Sequence, residues 1–191
     1  RDAFERFMAA VPECVIVVLD EAYSEYVDDP RYPDGLGYVA RFPNLVVTRT
    51  FSKAYGLAAL RVGYAASSPA VADLLNRVRQ PFNVSTPALA AAAAVLEDRA
   101  YVAQTVAVNR DGLAQVSAGL AAQGRRYIPS LGNFIAFDCG RPAQPVYDAL
   151  LREGVIVRPL GGYGMPQYLR VSIGTAAENA RFLAALAKVL P

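Results

Sequence analysis

The hydrophobic pattern changes period several times along the chain, and each change marks an element. Residues 1–10 (R-D-A-F-E-R-F-M-A-A) read as the end of an amphipathic helix. Residues 15–19 (V-I-V-V-L) form a continuous, mostly β-branched run. That pattern predicts a parallel strand buried on both faces, ending at Asp20-Glu21. Pro30, Pro33, Asp34, Gly35 and Gly37 mark a loop. Further strands are predicted at 45–48 (L-V-V-T) and at 61–65, the latter opened by Arg61, with a helical turn or loop at 54–60 between them. Residues 70–79 have helical spacing, 81–87 are a break, and 87–96 and 102–123 read as Ala-rich helices with Gly124 as a stop. From Tyr127 the pattern shifts. Strands are predicted at 133–138, 155–158 and 168–173, and helices at 142–153 and 176–190.

The first part therefore reads as buried parallel sheet with helices, and the second as a smaller α/β unit with antiparallel strands. The boundary is expected near residue 100, giving regions 1–100 and 101–191. No internal repeat is evident. The alanine run at 90–94 reads as helix surface and packing.

Composition narrows the function classes. Of 191 residues, 54% are hydrophobic and 19% charged, enough for a sizeable core and unlike a disordered chain. The net charge is +2 with scattered Lys and Arg, which favours neither nucleic acid nor an anionic membrane. The apolar runs are too short to span a bilayer, and the N-terminus lacks the apolar core of a signal peptide. Cytoplasm is the default expectation. Cys14 and Cys139 are expected to be buried free thiols rather than a disulfide. There is no histidine, which removes Ser-His-Asp and Cys-His hydrolases and every His-ligated metal site. Any chemistry falls to Lys, Asp, Glu, Tyr, Arg and Ser, with an organic cofactor as a candidate helper.

In open α/β sheets, ligands bind beyond the carboxyl ends of the strands. Asp20 closes the first predicted strand, Tyr23 follows three residues on, and Lys53 follows the second strand by a short excursion. With Thr50, Ser52 and Arg61, these would bring an acid, a phenol, an amine, two hydroxyls and a guanidinium to one crevice. Each group also has an ordinary reading. The acid and the hydroxyls could be turn residues. Lys53 could be a solvated surface charge. Tyr23 could belong to the core or its rim, and Arg61 to a structural ion pair. It is the combination that points to a site.

D-E-A-Y at 20–23 and T-F-S-K-A-Y-G-L-A-A-L-R-V-G-Y at 50–64 resemble the fold-type I pyridoxal-phosphate-dependent aminotransferases, and within them the histidinol-phosphate aminotransferase group. G-V-I-V-R-P-L-G-G-Y-G-M-P-Q-Y-L-R-V-S-I-G-T at 154–175 adds to the likeness, which runs along essentially the whole chain. The resemblance implies a PLP-dependent transferase-like α/β fold. Residues 1–100 would be the C-terminal portion of the large cofactor-binding domain and 101–191 the small C-terminal domain. It also implies pyridoxal 5'-phosphate as cofactor. The lysine matching Lys53 would form the Schiff base with its aldehyde, which only a neutral amine can do; desolvation and nearby cationic charge favour that form. Asp20 matches the aspartate that pairs with the pyridinium nitrogen, and Tyr23 the tyrosine that donates to the ring oxygen. Thr50, Ser52 and Arg61 match phosphate ligands. Arg170 matches the arginine holding the substrate's anionic group, and Arg158 is a second anion contact or a surface charge. Asn133, at a strand start, could also face the site.

The implied activity is amino transfer from a small-molecule donor to a 2-oxo acid. The leading case is histidinol phosphate with 2-oxoglutarate, giving imidazole-acetol phosphate and glutamate in histidine biosynthesis. An aromatic amino-acid aminotransferase or a related decarboxylase is the close alternative. The departures are small: Tyr55 stands where Phe is usual, and Ala59 where Gly is common. Relatives are longer, and this chain matches their second half; Arg1 is not an initiator methionine. The chain is expected to be a fragment of a homodimeric enzyme. The other half would carry a phosphate-cradling loop, a ring-stacking aromatic, an asparagine near the ring oxygen and a tyrosine donated across the dimer. An inactive folded fragment is the non-enzymatic alternative.

Overall fold

The computed structural model describes all residues from Arg1 to Pro191. The chain divides into two compact units, Arg1–Ala103 and Gln104–Pro191. No helix is long and apolar enough to cross a membrane.

The first unit is built on a three-stranded sheet in the order β1-β2-β3. Its strands are β1 (Val17–Asp20), β2 (Leu45–Thr50) and β3 (Gly63–Ser67). β1 and β2 are parallel, with Val17 opposite Leu45 and Asp20 opposite Thr48. β3 returns antiparallel to β2, with Thr50 opposite Gly63, so the sheet in this unit is mixed. Side chains alternate between the faces of a strand. Val17 and Leu19 on β1, with Leu45 and Val47 on β2, therefore share one face. There they meet Met8 and Phe4 of helix α1 (Asp2–Ala10), together with Leu36, Tyr38, Val39 and Phe42. Leu45 and Val47 are fully buried. Burial on that scale stabilises by about 1.5–3 kcal/mol per large apolar side chain.

A second small core lies beyond the end of β2. Phe51 and Val62 pack against Ala88 and Ala92 of helix α3 (Thr86–Glu97). Small alanines let that helix approach closely. Ser85 caps it by accepting from the Ala88 amide, and Pro87 sits in its first turn, where no N–H is needed. Helix α2 (Pro69–Val78) buries none of its residues.

Helix α4 (Arg99–Ala122) leads into the second unit. There a four-stranded, wholly antiparallel sheet runs in the order β4-β5-β7-β6. Its strands are β4 (Tyr127–Ile128), β5 (Phe134–Asp138), β6 (Arg158–Pro159) and β7 (Tyr168–Ser172). Helices α5 (Ala143–Arg152) and α6 (Ala176–Val189) complete the unit. One core joins Val116 and Leu120 of α4, Ile135 and Phe137 of β5, Val146 and Leu150 of α5, Leu169 and Val171 of β7, and Phe182 and Leu186 of α6. A capping box between Thr175 and Glu178 fixes the start of α6.

Five expectations need correction. β1 is not buried on both faces, since Val18, between Val17 and Leu19, is 61% exposed. The first strand begins at Val17, because Val15 is spent in a turn whose amide donates to the Pro12 carbonyl. Arg61 does not open β3. It sits in the left-handed region at φ 53°, two residues before the strand. Residues 155–158 contribute only Arg158 to a strand, although Val155 and Val157 are buried. Cys139 is buried as expected, but Cys14 is exposed.

Candidate active site

The C-terminal ends of the two parallel strands lie side by side and present the acid and the amine. Asp20 is the last residue of β1, directly opposite Thr48. Its Oδ1 accepts from the Ala22 amide at 3.1 Å and from the Thr48 hydroxyl at 3.4 Å. These two bonds orient one oxygen of an exposed carboxylate at the sheet edge. Tyr23 follows at the entrance of a short 3-10 turn, Ser24–Tyr26. The Lys53 Nζ lies 5.2 Å from the centre of the Tyr23 ring, within the range of a cation–π contact. The first two candidate groups of the β1 edge and the amine beyond β2 are thus brought together in one unit.

Lys53 is held by backbone rather than by an ion pair. Phe51, on one side, is 5% exposed, and Ala54, on the other, is fully buried. The Phe51 amide donates to Val62 O at 3.2 Å, and the Leu57 amide returns to Phe51 O at 2.9 Å. The Gly56 amide closes the turn on Lys53 O at 2.9 Å. Gly56 adopts φ +72°, and a Cβ there would run into the Tyr101 hydroxyl, so the turn calls for glycine. Within this loop Thr50 Oγ1 accepts from the Ser52 amide at 3.0 Å. Arg61 precedes Val62, whose carbonyl accepts from the Phe51 amide. Its guanidinium is exposed and donates to Ala58 O at 2.8 Å.

The opposite face of the same strand ends carries groups that sequence reasoning missed. Glu21 is 1% exposed. It accepts from the Gly35 amide at 2.7 Å and from Arg49 Nε and Nη2 at 3.0 and 2.7 Å. Arg49 Nη2 also reaches Asp34 Oδ1 at 2.8 Å. Burial works against the charge on Arg49, but the Glu21 carboxylate and then Tyr64 favour it, and the guanidinium pKa is raised on balance. Nearby, burial, reinforced by Glu25, pushes the Tyr26 phenol up to about 12. The available signal was a glutamate and an arginine inside or abutting runs that otherwise read as buried strand. Charges there need partners.

In the second unit, Arg158 on β6 and Arg170 on β7 are direct cross-strand partners. Opposed residues of an antiparallel pair share a face, and like charges so placed repel. The Arg170 guanidinium lies 4.8 Å from the centre of the Phe134 ring, and its Nε is buried without an acceptor. Arg158 is exposed and donates to the Tyr163 hydroxyl at 3.3 Å. Asn133 lies just before β5, where its carbonyl accepts from the Ile173 amide. The strand pairing thus puts two cations opposite each other, and one of them keeps an N–H without an acceptor.

The donor set of the first unit fits a phosphate-bearing heterocycle with a basic nitrogen and an aldehyde. It offers a carboxylate for the nitrogen, a phenol for a ring oxygen, an amine for the carbonyl, and hydroxyls and a guanidinium for the phosphate. Residues 1–186 match the family described as aminotransferase class I and II, and the chain belongs to that family. It is 66% identical over 99% of its length to histidinol-phosphate aminotransferase 2 of Pseudomonas aeruginosa, covering 51% of that protein. It is 62% identical over 96% of its length to the protein of the same name from Methylococcus capsulatus, covering 50% of it. The chain thus spans about half the length of the curated relatives it matches. Among solved structures it resembles histidinol-phosphate aminotransferase from Sinorhizobium meliloti in complex with pyridoxal-5'-phosphate. The TM-score is 0.88 at 34% identity, covering 97% of this chain and 52% of that one.

Proposed function

We propose that this chain carries the lysine-bearing half of a cytoplasmic, homodimeric, pyridoxal-phosphate-dependent aminotransferase. Its reaction would be the conversion of histidinol phosphate and 2-oxoglutarate to imidazole-acetol phosphate and glutamate. The observation that carries the reading is that Asp20 ends β1, while Tyr23 and Lys53 follow the ends of the adjacent parallel strands by three residues each, with Lys53 Nζ 5.2 Å from the Tyr23 ring. The names of the relatives at 60–66% identity favour histidinol phosphate over an aromatic amino acid.

When bound, pyridoxal phosphate supplies an electron-accepting ring and a reactive aldehyde. Asp20, already oriented by Ala22 and Thr48, would accept the N–H of the ring nitrogen and keep that nitrogen protonated. Tyr23 would donate its hydroxyl proton to the ring oxygen. Thr50 and Ser52 would give directional bonds to phosphate oxygens, and Arg61 a charged fork. The Lys53 amine would hold the cofactor covalently in the resting enzyme. Once released, its Nζ would take the proton from the substrate α-carbon. Such general acid–base work is worth about 10²–10⁴ in rate. Arg158 and Arg170 suit a substrate that carries a phosphate or a second carboxylate, since an anion between them relieves their repulsion.

Within these 191 residues the label has two candidate sites, Lys53 and Lys188. The complete polypeptide is mixed with pyridoxal phosphate, reduced with borohydride and mapped by peptide mass. The adduct is expected on Lys53 and absent from Lys53→Ala. Labelling of Lys188 at the same level as Lys53 would defeat the reading. Single-turnover amino transfer from histidinol phosphate is expected to outrun that from phenylalanine; equal rates would defeat the substrate assignment.

A further inference from the structure

Glu21 and Arg49 are neighbours of the proposed cofactor ligands, yet they face away from them. Asp20 precedes Glu21, and Thr48 and Thr50 flank Arg49. Successive residues of a strand point to opposite faces. Asp20 and Thr48 therefore share one face, while Glu21 and Arg49 meet behind them. The Glu21 amide donates to Thr48 O at 2.9 Å, which carries the β1–β2 ladder one residue past Asp20. The Glu21 side chain crosses to Arg49 on β2, and Arg49 continues to Asp34. Gly35 places its amide on Glu21 Oε1 at 2.7 Å. Three separate segments, 20–23, 34–35 and 48–50, are thereby tied at one point directly behind the acid.

Stability is a poor explanation for such a pair. The Glu21 side chain is fully buried and that of Arg49 is 17% exposed. Desolvating both charges offsets most of their attraction, and well-packed apolar residues at such places are often equally or more stable. What a fork-to-carboxylate pair adds is a fixed geometry between the two segments that carry it.

We propose that the Glu21–Arg49–Asp34 network is the positioning device of the cofactor site. It locks the ends of β1 and β2 against each other and so sets the placement of Asp20 and Tyr23 relative to the Thr50–Lys53 segment. The proposal rests on the cofactor reading given above. None of the three side chains touches the reacting atoms; they act through Asp20 and Lys53.

The experiment uses the complete polypeptide in three variants. Glu21→Gln keeps shape and the acceptor for Gly35 but removes the charge. Asp34→Asn is safe for folding, because that side chain is 70% exposed. The double variant Glu21→Leu with Arg49→Leu replaces the pair by apolar groups. Three quantities are read: the urea midpoint, the affinity for pyridoxal phosphate, and the pH midpoint of the bound cofactor's visible absorption. The expected result is that Glu21→Gln and the double variant weaken cofactor affinity roughly tenfold or more, as loosened supporting partners do at other bound groups. The pH midpoint should shift as well, and in the double variant both changes should appear without loss of urea stability. Asp34→Asn should give a smaller change of the same kind, and it decides the matter together with Glu21→Gln if the double variant does not fold. Unchanged affinity and pH midpoint in the folded variants, with wild-type Lys53 still labelled by borohydride, would overturn the positioning role alone. No label on wild-type Lys53 would overturn the cofactor reading and this proposal with it.

Discussion

Two glycines in one short 3-10 helix, Gly35–Tyr38, should respond to alanine in opposite directions. A methyl added at Gly35 would lie 2.7 Å from Leu19 Cδ2, 2.9 Å from Glu21 Oε1 and 3.0 Å from Val47 Cγ2. Val47 is fully buried and cannot move outward. Inserting a methyl into such packing costs about 1–3 kcal/mol. The displaced Glu21 carboxylate also loses part of its bond from the Gly35 amide, and bonds to charged groups are worth about 1.5–3 kcal/mol. Gly35→Ala should therefore destabilise by about 2–4 kcal/mol. At Gly37 nothing lies within 4 Å of the new methyl. There alanine only reduces the freedom of the unfolded chain, and Gly37→Ala should stabilise by about 0.4–1 kcal/mol. Urea unfolding followed by far-ultraviolet circular dichroism separates the two. With m-values of about 1–3 kcal/mol/M, the midpoints should differ by at least about 1 M. Equal midpoints at equal m-values would refute the idea that the Glu21 carboxylate is walled in at Gly35.

Three further outcomes follow from single side chains. Asp138, 4% exposed, is held below the usual carboxylate pKa by the Gly140 amide and by Arg126, against the opposing effect of burial. A depressed folded-state value adds stability above the unfolded pKa and loses it as pH falls, so the gap in urea midpoint between wild type and Asp138→Asn should narrow below about pH 4. The Cys139 thiol is pushed up to about 11, chiefly by burial, whereas Cys14 is exposed, so a thiol reagent at neutral pH should modify Cys14 quickly and Cys139 only on unfolding; equal rates would contradict the burial. Arg61 occupies left-handed backbone at φ 53°, which costs a non-glycine residue about 1 kcal/mol. Arg61→Gly should therefore match or exceed wild type in urea while binding pyridoxal phosphate more weakly, and unchanged affinity would remove Arg61 from the phosphate.

The helices were legible because their period and their punctuation agree. The stretch 176–190 reads as a helix from spacing alone, and α6 spans Ala176–Val189. The antiparallel character of the second sheet was likewise expected and is found. Strands were harder, because a strand is defined by its partner and the partner lies elsewhere in sequence. Residues 155–158 alternate as a strand should, with Ile156 83% exposed between buried Val155 and Val157. Only Arg158 and Pro159 find β7, so the alternation records packing without a ladder. Residues 15 and 16 show the converse: two β-branched residues that pattern assigns to a strand are about half exposed, at 47% and 52%, ahead of the first pairing at Val17. Arg61 was misplaced for another reason, since hydrophobic period carries no information about the sign of φ.

The site divides along the same line. Asp20, Tyr23 and the Thr50–Lys53 segment stood out as candidates because each is a reactive group out of keeping with apolar neighbours, and a local one; the structure adds the approach of Lys53 to the Tyr23 ring. The ion pair behind them is equally out of keeping, but its halves stand 28 residues apart, and neither looks reactive. A physical rule would still have joined them. Each strand end that reads as buried carries one charge on the core side, Glu21 after β1 and Arg49 within β2, and those charges have opposite sign. A buried charge must be compensated. The parallel pairing that makes Asp20 the partner of Thr48 leaves Glu21 and Arg49 as the pair that can do so. Compensation of that kind dictates register, and register decides which acid faces which amine. Under the cofactor reading proposed above, the chemistry of the front face is therefore constrained by electrostatics on the back.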